Sequence, residues 1–274
     1  MKYQFCFILI IVVAGACSSN NERIISKVEE NKLISKYEKE MSQSNYKEAY
    51  NTLNNLVYYK SDFAKNEMGY FYENGLHVNK DMKKAISLYA EAGNNDYIPA
   101  VYNIGRLRLE SNHGAEAFSI LKKVASNDYA PAINLIGVMY NNGEYVAKDL
   151  NKALSYYSKA ASLGNPDAQF NLGQMYFYGE GVKQNYKTSF YWYDASAKQD
   201  YDFAKIQLAT LYYKGYGVKR DVGKAIDIIQ EMAENGDTNA IYNIRLYYKA
   251  ADDLTGYEYW DKKCQSNIAC TKVD

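Results

Sequence analysis

Ala168-Gln169-Phe170-Asn171-Leu172-Gly173-Gln174-Met175-Tyr176 restates, at an offset of 36, the stretch Ala132-Ile133-Asn134-Leu135-Ile136-Gly137-Val138-Met139-Tyr140. Ala, Gly, Met and Tyr recur in register; further copies begin at Ala64 and Ala204, and a short one at Ala100. Ala168, Leu172, Met175 and Tyr176 share a face at helical spacing, which makes the stretch a helix with one buried stripe. Self-similarity at a period of roughly 20–50 residues marks a stacked solenoid, whose units bury their apolar faces only against their neighbours. The period turns the functional question from an active site to a partner.

Outward from the quoted helix, Gly179-Glu180-Gly181-Val182 ends it, and Gly215-Tyr216-Gly217-Val218 repeats that turn. Glycine adopts the left-handed conformation that helix C-termini favour. Asp81, Asp149, Asn185 and Asp221 then hold one equivalent position, where a short polar side chain caps the free amides of a second helix. That helix carries Ala85, Ala153 and Ala225, then Tyr89, Tyr157 and Tyr193, and Gly164 and Gly236 close it. Gly69, Gly105 and Gly137 match Gly173, with Ala209 as the nearest substitute. A glycine inside a helix costs up to ~1 kcal/mol relative to Ala, so its recurrence predicts close helix–helix contact.

This set of residues resembles the Sel1-like repeat family, helix–turn–helix pairs related to tetratricopeptide repeats. The resemblance implies an all-α fold, a right-handed superhelical solenoid with repeats at 64–99, 100–131, 132–167, 168–203 and 204–239. Residues 22–63 are expected to form N-terminal capping helices and 240–274 C-terminal ones. Within the former, Glu22 to Met41 reads as an amphipathic helix with Ile25, Val28, Leu33, Ile34 and Tyr37 as its apolar positions. Tyr46 to Tyr59, with Ala49, Leu53 and Leu56, reads as the second half of a degenerate first repeat. The copy at 100–131 is four residues short and lacks the Gly-x-Gly-Val turn, and Arg108 stands where other copies have Tyr. A tight turn near Asn112-His113-Gly114 is expected there. Arg245 occupies the glycine position of the last copy, which predicts that no further helix packs against it.

The N-terminus belongs to a different class of signal. Lys2, the apolar run Phe5 to Ala14, then Gly15 and Ala16 form a charged, apolar and small-residue succession typical of an export signal. About ten apolar residues fall short of the ~20 a membrane span needs. Val13-Ala14-Gly15-Ala16-Cys17-Ser18-Ser19 resembles a bacterial lipoprotein box, with Ala14 where the family prefers Leu. The resemblance implies removal of residues 1–16, acylation of Cys17, a linker over 17–21, and a periplasm-facing anchor at the outer membrane. The competing reading is an ordinary secretory signal with an incidental cysteine. In an oxidising compartment the remaining pair, Cys264 and Cys270, is expected to form a disulfide that clasps the last helix.

Catalytic motifs are sparse. Lys+Arg and Asp+Glu both number 32, which leaves no basic footprint for nucleic acid. His77 and His113 are the only histidines and lie in no metal spacing, and no metal or cofactor is expected. The two Gly-x-Gly turns lack the strand and the Gly-Lys-Ser/Thr ending of a phosphate loop. Ser119-Ile120-Leu121-Lys122 spells a Ser-x-x-Lys motif, but no Ser-Asp-Asn or Lys-Thr-Gly accompanies it. The chain reads as a non-enzyme, with a β-lactam-binding or hydrolysing enzyme as the rival from another class.

What remains is surface. If the first, fifth, eighth and ninth residues of each first helix face the core, the third, seventh and tenth share another face. There the sequence places Tyr70, Tyr102, Arg106, Asn134, Val138, Phe170, Gln174, Phe177, Tyr213 and Tyr242, with Ile206 in the same series. Tyr and Arg favour interface hot spots; for each residue the alternative is packing against a neighbouring repeat. The expectation is a lipid-anchored module that binds a protein in a concave groove. The resemblance adds one role, an immunity protein neutralising a secreted, lipase-type antibacterial effector; the alternative is an envelope signalling or assembly adaptor.

Overall fold

The structure, a computed structural model, describes residues 25–266 and Cys270. The export signal and Cys17 lie outside the described residues. Among those described there are fourteen helices and no strands. They fall into two compact units, Met1–Ala92 and Gly93–Asp274. The first holds α1 (Lys27–Ser42), α2 (Tyr46–Tyr58), α3 (Asp62–Asn74) and α4 (Met82–Gly93). The second holds the pairs α5 (Ile98–Glu110) and α6 (Gly114–Ala125), α7 (Ala130–Asn142) and α8 (Leu150–Ser162), α9 (Pro166–Tyr178) and α10 (Tyr186–Ala197). It continues with α11 (Asp202–Lys214) and α12 (Val222–Glu234), then α13 (Thr238–Ala250) and α14 (Leu254–Gln265).

Each repeated residue has one repeated job. Gly75, Gly143, Gly179 and Gly215 end their helices in the left-handed conformation, with φ between 71 and 78°. Asp81, Asp149 and Asp221 accept the amide of the residue three further on at 2.9–3.0 Å. Asn185 caps in the same way. In three copies that third residue is a lysine whose ammonium lies over the tyrosine ending the core stripe: Lys84 on Tyr72 at 4.2 Å, Lys152 on Tyr140 at 5.0 Å and Lys224 on Tyr212 at 4.6 Å. One Asp-x-x-Lys motif thus caps a helix and ties it to its partner.

The recurrent glycine meets the recurrent tyrosine. A Cβ placed on Gly69, Gly137 or Gly173 would stand 2.7 Å from the ring of Tyr89, Tyr157 or Tyr193, each of them buried in the second helix of the same pair. Where the glycine becomes Ala209, the tyrosine becomes Ile229, and both are fully buried. In the short copy Gly105 faces the smaller Leu121. The pairing is therefore one of volume: a large side chain is admitted only where its partner lacks one. The same exchange links successive pairs. Gly181 lies against Leu150, and Gly217 against the Tyr186 backbone, both at the start of the preceding second helix. At the equivalent joint Gly114 starts that helix, and Tyr145 replaces the turn glycine, covering Gly114 and donating its hydroxyl to Asn112 at 2.8 Å. Tyr145 so occupies the space that the missing turn of the short copy leaves.

Two expectations are corrected. Val28 is 80% exposed, so the buried side of α1 is carried by Tyr37 with Leu33, Ile34 and Met41. A further helix does pack at Arg245: α14 lies on α13, and Arg245 reaches Asp261 at 3.0 Å, an ion pair standing where other pairs set glycine against tyrosine. Charge complementarity replaces the volume match, which a reading of size alone misses. Beyond Asp261, Cys264 and Cys270 are bonded, and both are buried with Trp260.

Candidate functional site

In the first unit the face at the third, seventh and tenth positions is represented by Tyr70, 43% exposed, between two carboxylates on α3. Glu67 accepts the Tyr37 hydroxyl at 2.8 Å and the Asn66 amide at 2.9 Å, and Glu73 accepts the Tyr89 hydroxyl at 2.7 Å.

In the second unit the aromatic members are half-buried and shared between repeats. Tyr102 meets the Tyr129 ring at 5.4 Å; Phe170 meets Tyr201 at 5.4 Å and Tyr193 at 5.6 Å. Phe177 lies 5.3 Å from Tyr186, and Tyr213 stacks on Tyr247 at 4.8 Å. Tyr242 lies beneath the Arg245 guanidinium at 5.2 Å, and Ile206 is buried. Burial raises the Tyr102 phenol, with Arg106 opposing. Burial and Asp167 push the Tyr201 phenol up to about 12.

The polar members are more available. Arg106 pairs with Glu110 at 2.7 Å along the exposed side of α5. Asn171 donates to Asn134 at 3.0 Å, bridging α9 and α7 and placing consecutive first helices side by side on this face. Gln174 and Val138, half-buried, occupy the same position of adjacent repeats. The face is thus a polar strip of donors, acceptors and one guanidinium over aromatic packing.

Several exposed aromatics lie off this series: Tyr178, Tyr191, Phe203 and Tyr216. Tyr178 and Tyr191 adjoin packed rings, Phe177 and Trp192, in edge contacts. Adjacency to a core position hid them, since a helix turns ~100° between neighbours. An open cleft of about 710 Å³ lies at the α10–α11 and α12–α13 joints, lined by Asp200, Asp202, Lys205, Glu231 and Asp237. Ser119 is exposed on α6, while Leu121 of the same motif is buried against Gly105. Among the described residues no His, Cys, Asp and Glu group is placed to hold a metal ion, and no helix is long and apolar enough to cross a membrane.

The Sel1 repeat model matches residues 63–97, 130–165, 166–201 and 203–237, more than half of the chain. The chain belongs to the Sel1 repeat family. The unmatched residues between 97 and 130 are the short copy, whose helices α5 and α6 keep the paired geometry without the Gly-x-Gly-Val turn. Among solved structures, the Sel1 repeat protein from Oxalobacter formigenes is similar over 85% of this chain and 100% of that one, with 24% identity and a TM-score of 0.69. The protective antigen c5321, present in uropathogenic Escherichia coli strains, is similar over 78% of this chain at 27% identity and a TM-score of 0.63. This chain spans about half of that one, 48%. Immunity protein Pa5087 from Pseudomonas aeruginosa is similar over 90% of this chain and 88% of that one, with 21% identity and a TM-score of 0.56. No curated protein matches the chain. Sel1 repeats build protein-interaction modules, and the likeness to these structures establishes the solenoid fold.

Proposed function

We propose that this Sel1 repeat protein is a non-catalytic envelope protein, anchored through a lipid on Cys17, that binds a protein partner along its first helices. The observation that carries the reading is the division of labour within the repeat. Position one is a buried alanine in every copy and position eight a buried large apolar or aromatic residue. The ninth position, expected in the core, is mostly half-buried, with Arg108 exposed, and position seven changes from Arg106 to Val138 to Gln174 and stays half-open. A scaffold that holds its core constant and varies one accessible row is built to choose a partner. The partner proposed is a secreted antibacterial effector that attacks membranes, which makes the chain an immunity protein. The fold it shares with Pa5087 is compatible with that role, and a lipid anchor would hold the inhibitor at the surface under attack.

Competition between a deletion strain and its parent tests the role, and in vivo crosslinking with wild type and an Arg106→Glu/Gln174→Lys variant tests the face. Sensitivity of the deletion strain to sibling cells, with an effector crosslinked to wild type only, is the expected result. Undiminished survival overturns the immunity role and, if a partner is still crosslinked, favours an adaptor. Equal capture by the variant overturns the choice of face. Fatty-acid labelling that persists after Cys17→Ser removes the anchor from the proposal.

A further inference from the structure

The chain carries no net charge, yet within its second unit α9–α12 sort charges by edge. Each helix pair has a turn edge, where the first helix ends and the second begins, and a joint edge, where the next pair starts. A 13-residue helix separates the two by ~20 Å. On α9–α10 and α11–α12 the turn edge bears Lys183, Lys187, Lys214, Lys219, Arg220 and Lys224, all exposed, against Glu180 and Asp221. Asp221 is engaged as a helix cap. The joint edge is the inverse: Asp167, Asp200, Asp202, Glu231, Glu234 and Asp237 face only Lys198 and Lys205. Both of those lysines are ion-paired, to Asp194 at 2.6 Å and Asp200 at 2.8 Å.

Among the described residues none of the six turn-edge cations forms an ion pair; Lys214 and Lys224 lie instead on the rings of Tyr213 and Tyr212 at 4.9 and 4.6 Å. Exposed tyrosines stand among them. Tyr178 is 59% exposed, and Tyr216 is 38% exposed and stacked on Tyr186 at 4.6 Å.

From this we infer that the turn edge of α9–α12 docks on an anionic phospholipid membrane. Five of the six cations are lysines, point charges that need no fixed acceptor geometry and suit a diffuse negative surface. Arginines in a pocket would instead mark a carboxylate-bearing protein, and the open cleft lies on the opposite, acidic edge. Tyrosine, with an apolar ring and a polar tip, is the side chain enriched where bilayer meets water. The acidic edge is repelled by the same surface, so attraction at one edge and repulsion at the other set an orientation. The helices stand across the membrane plane and the first-helix face looks sideways, accessible to a partner. Neither the acyl chain nor the protein partner takes part in this docking.

The test is vesicle co-sedimentation of the full chain carrying Cys17→Ser, so that no acyl chain contributes, with vesicles of phosphatidylcholine alone or with a third phosphatidylglycerol. Any apolar contribution of residues 5–14 acts on both vesicles alike. The expected result is binding at least tenfold stronger to the anionic vesicles, lost at 1 M salt, where screening shortens to ~3 Å. Lys183→Glu/Lys219→Glu/Arg220→Glu, exposed positions whose folding is checked by circular dichroism, is expected to lower that binding at least tenfold, as ~1 kcal/mol per basic residue implies. Asp202→Asn/Glu234→Gln on the other edge should leave it unchanged. Equal binding to both vesicles, or undiminished binding of the triple variant, overturns the inference; an edge that ignores lipid but captures an acidic protein does so as well.

Discussion

Gly173→Ala sets two known magnitudes against each other. In an open helix the exchange stabilises by ~1 kcal/mol, because alanine restricts the unfolded chain. Here the new Cβ would stand 2.7 Å from both Cδ1 and Cε1 of Tyr193 and 3.2 Å from Cγ. Carbon atoms rest at ~3.5–4.0 Å, so ring or helix must move. Tyr193 is 1% exposed and Phe170 lies against its ring, which leaves the ring no room. Overpacking costs ~1–3 kcal/mol, and two contacts this short against a confined ring belong at the upper end. The expected net loss is therefore about 1–2 kcal/mol.

Tyr193→Ile, copying Ile229 of the next pair, opens a cavity and costs about 2–4 kcal/mol alone. The double variant recreates the Ala209–Ile229 combination, so the losses should not add, with a coupling of about 1–2 kcal/mol in favour of the pair. Urea unfolding followed by circular dichroism gives the totals. Hydrogen exchange on α9 and α10 localises them, because repeat arrays open piecewise and a single unfolding free energy can mislead. Wild-type stability in Gly173→Ala refutes the close-contact argument. Strict additivity in the double variant refutes the volume match.

Gly114→Ala is expected to destabilise by about 1–3 kcal/mol because Tyr145 covers it, and Tyr145→Gly in the same chain should recover part of that loss; thermal melts of the three variants check it. Cys264→Ser/Cys270→Ser should lose about 2 kcal/mol, the entropy of a short closed loop, with faster exchange confined to α14 in mass spectrometry. Burial, opposed by the Thr210 hydroxyl, pushes the Tyr247 phenol up to about 12, as burial and Asp167 do for Tyr201, from an ordinary 10.0. Their folded-state values lie above the unfolded ones, so the stability from keeping them neutral is fully present below pH 10 and lost as pH rises toward 12. Unfolding midpoints across that window should fall, and Tyr247→Phe should flatten part of the fall.

Positions readable from sequence were those whose surroundings recur. Gly75, Asp81 and their counterparts see the same neighbours in each full-length copy, so one such copy explains the others and the helix boundaries follow within a residue or two. Two kinds of position resisted. Arg245 broke the pattern, and its meaning depended on Asp261, which stands where the short copy has Leu121 and where no other copy carries a charge. The third and tenth positions resisted for a different reason: each borders two repeats, so helical spacing alone cannot divide its surface between neighbour and solvent. Phe170 and Tyr102 show why. The residue that covers them is the tyrosine just before a later first helix, Tyr201 or Tyr129, and it sits at a helix start where no side chain caps the amides. At Asn165 and Asp237 the same position caps its helix instead. A joint can spend that residue on a cap or on a ring against the preceding repeat, and the choice decides whether the third position is core or surface. At the α10–α11 joint the ring was chosen, which half-buries Phe170 beneath Tyr201, while the seventh position, where Arg106, Val138 and Gln174 differ, meets no such ring.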